Sequence, residues 1–356
     1  MASKKIWEMG ERRLVSEIVG VLSGDSRLYQ GIGHDSAFLN INVSKDEVLL
    51  MNTDRSGVNI AYQLGLADGQ CVGDFAVSHA ISDIVASGGR PLAVSLAFLM
   101  PKDTEVEFLK DVVSGADKAA KKYGAFIACG DTKHNPKFAI VATAIGKCNK
   151  DQILTRAGAK EGDHIVVSGN LGTMIAGLAA IKNNIDISVS ARAMFEKVLI
   201  FQNPPFSLGM KISALKLAHA CTDNSDGLSN SIYNLCDKSG LGAVISKKNV
   251  PIHDEVRKIA DIFKIDPFNF ALASGDWQHI YAVPEENIEK FMKVAKEISP
   301  SVVSIGRFTR SKDVLIEENG VLSRFNLIEN DRINNSQSYV KKLVHLLNVS
   351  EITHHE

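Results

Sequence analysis

Hydrophobic and polar positions along this chain alternate between two rhythms. Leu14, Ile18, Val19 and Leu22 recur at helical spacing and predict a helix over residues 11–22. "SAFLNI" and "EVLLMNTD" predict strands, the second ending in the polar trio Asn52, Thr53 and Asp54. "VGDFAVSHAISDIVASGG" predicts a helix with Phe75, Val77, Ile81, Ile84 and Val85 inward and Gly88-Gly89 as its stop. "PLAVSLAFLM" reads as a strand and "TEVEFLKDVVSGADKAAKKYG" as an amphipathic helix ended by Gly124. "AFIACGDT" and "FAIVATAIGKC" add two more strands.

A polar bridge, "NKDQILTRAGAKEGD", follows near residue 150, and a second set of elements begins. It comprises the strand "HIVVSG", the helix "TMIAGLAAIKN", an Asp-rich turn and the strands "GAVISKK" and "HIYAVP". The helix "EENIEKFMKVAKEI" and the strands "SVVSIGRFT" and "DVLIEENG" close the set. The pattern predicts two α/β or α+β domains in tandem, 1–150 and 151–330. A polar tail over 331–356 carries one short amphipathic stretch, "SYVKKLVHLLNV".

Composition changes the picture mainly by exclusion. The 356 residues are 45% apolar and 23% charged, with a net charge of -1, so no global field favours nucleic acid or an anionic membrane. No apolar run reaches the roughly eighteen residues that span a bilayer. Charges throughout the first twenty residues argue against a secretory leader. Cys71, Cys129, Cys148, Cys221 and Cys236 form no CxxC, which suits a reduced, cytoplasmic protein with buried thiols.

The candidate chemistry lies in where the aspartates fall. Asp35 sits in "GIGHDSA" before a strand, Asp54 ends "VLLMNTD", and Asp83 interrupts the apolar helix "AISDIVA". Asp131 follows a strand in "ACGDT", and Asp223 and Asp226 flank Ser225 in "CTDNSDGLSN". Carboxylates are scarce at such apolar places unless paired, and no matching set of basic residues accompanies them. Taken singly, Asp35 and Asp131 suit Asx-turns, and Ser225 or Asp226 suits a helix N-cap. Taken together, they suit a hard cation such as Mg²⁺ bound jointly with phosphates. Gly31, Gly33, Gly130 and Gly227 beside them let backbone approach a ligand.

Other chemistries lack their signatures. "GIGHDS" lacks the third glycine of a dinucleotide loop, and no GxxxxGK[ST] occurs. "SGNLGTM" opens a helix and could hold an anion, but a plain turn is the better reading. His34, His79, His134 and His279 show no HExxH spacing, and no GxSxG elbow is present.

Seven blocks in order resemble the thiamine-monophosphate kinases, within the wider group of aminoimidazole-ribonucleotide synthetase-like ATP enzymes. "MGERRLVSEI" is similar to that family's opening helix, and "GIGHDSAFL" to its Gly-x-Gly-Asp-Asp-Ala-Ala turn. "MNTD" resembles its Thr-Thr-Asp, and "AISDIVASGGRPLAVSLAFLMP" its Leu-Ser-Asp helix and Gly-Arg-Pro stop. "CGDT", "LTRAGAKEGDHIVVSGNLG" and "CTDNSDGLSNSI" match further blocks.

The resemblance implies a two-domain PurM-like fold. Its N-terminal domain (1–150) would bind ATP and Mg²⁺ and pair with its twin in a homodimer, and its C-terminal domain (151–330) would cover the nucleotide. It implies Asp35, Thr53, Asp54, Asp83, Asp131, Asp223 and Asp226 as metal ligands, with Asp83, Asp223 and Asp226 nearest the chemistry. Gly130, Asp131, Arg156 and Ser225 would contact ATP. Arg156 fits either a forked contact to phosphate or a surface charge.

The chain departs from the family at four places, of which the stretches "RSGVNI" and "SGDWQHI" belong to the family's acceptor side. His34 replaces the first Asp of the glycine turn, and Asn224 the valine of Asp-Val-Ser-Asp. "RSGVNI" stands for Val-Glu-Gly-Val-His, and "SGDWQHI" for Gly-Gly-Glu-Asp-Tyr-Glu-Leu. Trp277 and Gln278 therefore either shape an altered acceptor pocket or simply pack. The implied activity is phosphoryl transfer from ATP to a small acceptor, with thiamine monophosphate to thiamine diphosphate as the named reaction. A related enzyme that activates an amide or carboxyl by phosphorylation is the alternative, and a non-catalytic ATP-binding protein the second. The selenophosphate branch is disfavoured because no cysteine precedes Cys71, and the hydrogenase-maturation branch because the sequence ends in "THHE".

Overall fold

The computed structural model describes residues 5–9, 11–29, 36–273, 275–299, 301–328 and 339–347, which form two compact units. The first takes in the chain to Ile84 together with Gly89–Lys150; the second takes in Val85–Gly88 together with the chain from Asp151.

In the first unit, helix α1 (Glu11–Val19) and the short strands β1 (Leu28–Tyr29) and β2 (Phe38–Leu39) precede β3 (Glu47–Ser56). Then follow α2 (Ile60–Gln63), α3 (Gln70–Ala86), β4 (Arg90–Met100), α4 (Val106–Lys122), β5 (Ile127–His134) and β6 (Ala139–Asn149). The long strands form one sheet in the order β3-β6-β4-β5, with β3, β4 and β5 all antiparallel or parallel such that they run the same way. The predicted strand over "SAFLNI" shrinks to the two residues of β2. Two endings also move: β3 continues past Asp54 to Ser56, and Asp131 lies within β5 rather than after it.

Helix α3 covers one face of this sheet. It is apolar all round, with Val72, Val77, Ala80 and Ile81 fully buried, as expected of a helix packed on more than one side. Its crossing with α4 is close enough that a Cβ on Gly73 would lie 1.8 Å from the carbonyl oxygen of Val112. No larger residue fits there. The opposite face stands open among the described residues, with Leu49 57% and Met51 76% exposed.

The second unit contains β7 (His164–Val167), α5 (Thr173–Lys182), α6 (Val189–Ile200), α7 (Phe206–Ala214), β8 (Ala220–Asp223) and α8 (Leu228–Ser239). It continues with β9 (Gly242–Ser246), α9 (Asp254–Phe263), α10 (Phe268–Ala271), β10 (His279–Val283) and α11 (Ile288–Ile298). The strands β11 (Val303–Thr309), β12 (Val314–Glu318) and β13 (Val321–Arg324) and the helix α12 (Tyr339–Leu346) complete it. A seven-stranded sheet runs β13-β12-β9-β11-β7-β10-β8, mixed because β9 and β12 pair in parallel.

The sequence pattern did not single out α6, α7 or α9, although Val256, Ile259 and Ala260 give α9 a buried stripe at helical spacing. Helix α7 ends at Ala214 and β8 begins at Ala220. The amphipathic stretch in the tail forms α12, which buries Val340, Leu343 and Val344. Asn183 at the end of α5 donates from Nδ2 to the carbonyl of Leu347, 2.8 Å away.

Candidate functional site

Asp35 and His34 lie outside the described residues. The remaining candidates of the first unit sit on the β3-β6-β4-β5 sheet and α3. Register fixes their faces, because residues directly opposite in neighbouring strands point the same way. Asp54 lies opposite Ala142, which lies opposite Leu96 and then Gly130. Ala142 and Leu96 are each 1% exposed, so Asp54 belongs to the covered face, half-buried on the α3 side. Asn52, two residues earlier, reaches the carbonyl of Ala80 on α3 at 3.4 Å. Asp83 is one turn further along that helix and half-buried.

Asp131 belongs to the other face, in one row with Ala97, Val141 and Arg55. Thr53 shares that face and its hydroxyl is 3.0 Å from that of Thr143. Three strand spacings, about 14 Å, separate the Asp54 and Asp131 strands. Each carboxylate accepts the next backbone N–H: Asp54 from Arg55 at 2.7 Å and Asp131 from Thr132 at 2.8 Å. Among the described residues no three His, Cys, Asp or Glu side chains gather as a preformed metal cage.

The second unit has a denser polar centre. Strands β7 and β8 both pair antiparallel with β10, so their carboxyl ends lie together, beside the start of β10. Open sheets bind ligands at such ends. Asp223 closes β8 directly opposite His279. Its carboxylate is buried, and Nη2 of the half-exposed Arg156 stands 3.6 Å from Oδ1. Beyond it the chain turns through Asn224, Ser225 and Asp226 into α8. Ser225 and Asp226 are half-buried, and neither is the N-cap: that position is Gly227, with no side-chain cap.

Gly227 has φ 91 and ψ 159, and a Cβ there would lie 2.2 Å from the carbonyl oxygen of Leu272. Only glycine adopts this backbone without strain. Asn224 is fully buried; its Oδ1 accepts from the Ser231 hydroxyl at 2.9 Å, and its Nδ2 has no partner among the described residues. Its backbone N–H donates to the carbonyl of Gln278, 2.6 Å away.

Asp276 was not among the sequence candidates. Its buried carboxylate accepts from the backbone N–H groups of Gly172 at 2.5 Å and Met174 at 3.1 Å. The positive end of α5 at "SGNLGTM" is thus capped from within the protein, by the Asp276 carboxylate. Desolvation outweighs these bonds and pushes the Asp276 carboxyl up to about 6. The signal for it was an acid beside glycine in "SGDW", the same kind of signal used for Asp131.

Trp277 and Gln278 are both held within the protein. Trp277 is 7% exposed and donates its indole N–H to Oε1 of Gln202 at 3.2 Å. Its φ of 53 is left-handed, an uncommon state for so large a residue. The Gln278 amide accepts from the Ser168 hydroxyl at 2.8 Å and donates to the Asp276 carbonyl at 3.1 Å. His279 is fully buried, which holds its imidazole down at about 3, and its Nε2 has no partner among the described residues.

Comparison with known proteins fits this architecture. Residues 33–148 match the N-terminal domain of AIR synthase related proteins, and residues 160–317 match their C-terminal domain. A thiamine-monophosphate kinase of Buchnera aphidicola subsp. Schizaphis graminum is 30% identical over 313 residues, covering 86% of this chain and 90% of the relative. One from Pyrococcus horikoshii is 29% identical over 301 residues, 83% of this chain and 89% of that one. The hydrogenase maturation protein HypE of E. coli shares the fold, with a TM-score of 0.75 at 19% identity, over 91% of this chain and 99% of its own.

Proposed function

Because the chain belongs to the AIR synthase related family and has thiamine-monophosphate kinases among its relatives, we propose that it is an ATP- and Mg²⁺-dependent kinase acting on a small phosphorylated acceptor. The named acceptor is thiamine monophosphate. In that reaction an acceptor phosphate oxygen bonds to the γ-phosphorus, the bond to the β-phosphate oxygen breaks, and ADP leaves with thiamine diphosphate as product.

The observation that supports this reading most is the turn from Asp223 to Gly227 at the carboxyl ends of β7 and β8, with Arg156 beside it. Phosphoryl transfer asks a protein chiefly for positioning and charge compensation. Arg156 offers a guanidinium that can fork onto phosphate oxygens. Gly227 fixes the turn that presents Ser225 and Asp226.

The donor set fits magnesium in kind. In the first unit Asp54 and Asp83 lie on the covered side of the sheet and Asp131 on its other face, and in the second unit Asp223 and Asp226 share one turn; each carboxylate is a hard oxygen donor. Magnesium is commonly held by one or two carboxylates plus substrate phosphates, which suits a protein with no preformed cage among its described residues. When bound, the ion offsets the negative charge of the transferring group.

The open face of the first unit suits a second copy of the chain. Exposed Leu49 and Met51 neighbour half-buried Val141, Thr143 and Ile145 on that face, a mostly apolar group of side chains that a partner could cover. The cysteines fit a reducing cytoplasm: all five are free, and burial pushes Cys71 and Cys236 up to about 12.

One observation favours a second reading, an enzyme that activates a different metabolite by phosphorylation. Gln278, in the stretch where the kinases carry their acidic acceptor block, is tied to Ser168 and Asp276. Mg-ATP offered with thiamine monophosphate and a panel of phosphorylated metabolites, with ADP and product mass followed, separates the two. Thiamine diphosphate supports the first reading, and turnover confined to another acceptor the second.

A further inference from the structure

Before α1 the chain makes a short helical turn, Ile6–Glu8, that is fixed to the first unit. The backbone N–H of Ile6 donates to the carbonyl of Thr104 at 2.9 Å, and Lys5 pairs with Glu105 at 2.9 Å. Glu8 closes the turn by accepting from the backbone N–H of Lys5 at 2.7 Å. On this anchored turn Trp7 is 64% exposed. An indole is large and apolar, and leaving one in water on a fixed segment costs free energy that packing elsewhere could recover.

Trp7 stands at the edge of a cavity of about 480 Å³ whose wall also includes Met100, Lys102, Asp131, Lys133 and His134. That volume falls within the range of small-molecule sites. Among the described residues neither Lys102 nor Lys133 forms an ion pair, so two lysines stand against one aspartate. A flat aromatic surface, an apolar floor and surplus positive charge are together the recognition set for a nucleotide.

We propose that this cavity takes the nucleobase end of ATP, with Trp7 as the stacking platform and Lys102 and Lys133 attracting the phosphates. The inference rests on the ATP-dependent reading above and adds residues that the sequence analysis did not single out. Stacking uses the π-face that every base carries, so the pocket accepts guanine nucleotides as well as adenine ones within a few-fold.

The test uses ATP alone, in EDTA, against the full chain. The protein has two tryptophans, Trp7 exposed and Trp277 buried, so ATP should quench the exposed emission, and Trp7→Phe should abolish that quench. Calorimetry should show Trp7→Ala weakening ATP binding by about tenfold or more, with Trp7→Phe in between and thermal melting unchanged. Lys102→Gln with Lys133→Gln should weaken ATP more than adenosine. Equal ATP affinity in wild type and Trp7→Ala overturns this inference and leaves the ATP-dependent reading standing. No ATP binding by the wild type in EDTA also overturns this inference; the ATP-dependent reading falls only if ATP fails to bind with Mg²⁺ present as well.

Discussion

Arg156 holds its guanidinium 3.6 Å from the carboxylate of Asp223, a charge contact rather than a formed hydrogen bond. The arginine side chain is 49% exposed and the aspartate's 3%, so the cation can swing toward a ligand without leaving an apolar core. A phosphate arriving at this turn would complete a geometry the free protein leaves loose. Arg156→Ala should cut kcat/KM for ATP by about ten- to a hundredfold while moving the melting temperature little, and Arg156→Lys should recover only part. Steady-state kinetics alongside thermal melts checks the split.

Gly227 is the hinge of the same turn. A methyl group there would meet the Leu272 carbonyl in a backbone state reserved for glycine. Gly227→Ala should destabilise the protein by roughly 2–4 kcal/mol and displace Ser225 and Asp226. Chemical denaturation measures the loss; an unchanged midpoint would mean the turn relaxes freely.

Two buried groups give the second unit opposed pH dependences. Asp276 ionises at about 6 when folded, above the ordinary 3.8. It therefore favours the fold fully below about pH 4 and loses that contribution, roughly 3 kcal/mol, as pH rises through 6. His279 takes a proton only at about 3 when folded, against an ordinary 6.5, because burial disfavours the imidazolium. It favours the fold above pH 6.5 and withdraws that support as the solution is acidified toward 3. Asp276→Asn should make stability fall more steeply between pH 6 and 4, because only the histidine slope remains. Denaturant midpoints at pH 4.5, 6 and 7.5 test this; parallel profiles in the two proteins would refute it.

Met51 sits on the open sheet face at 76% exposure. If that face joins two copies, Met51→Lys places like charges against each other and should convert dimer to monomer in sedimentation. The same variant should keep its melting temperature to within a few degrees, since the side chain supports no core.

Much of this architecture was legible in the chain itself. The periodicity of α4, the long apolar run of α3 and the long strands carried the first unit, because α4 buries a stripe while α3 and the central strands are covered on more than one side. Helix α7 stayed hidden because Gly209 and two prolines before it read as loop. Residue type identified Asp223 and Asp226 as candidates, but whether Ser225 or Asp226 capped α8 depended on a glycine backbone angle. Asp276 escaped notice because its role is to cap α5 from more than a hundred residues away, and sequence spacing holds no record of such a contact. The faces of Asp54 and Asp131 were likewise set by strand register, which only the pairing of β3, β6, β4 and β5 reveals.

On the reading proposed above, aspartates of this chain bind ATP through a divalent ion. Calorimetric titration of ATP, with and without Mg²⁺, into wild type, Asp83→Asn and Asp226→Asn tests it most directly. Mg²⁺ should tighten ATP binding in the wild type by about tenfold or more, either variant should lose most of that gain, and both should still melt as folded proteins. ATP affinity indifferent to Mg²⁺, or equally sensitive to it in all three proteins, would show that these aspartates do not hold the ion.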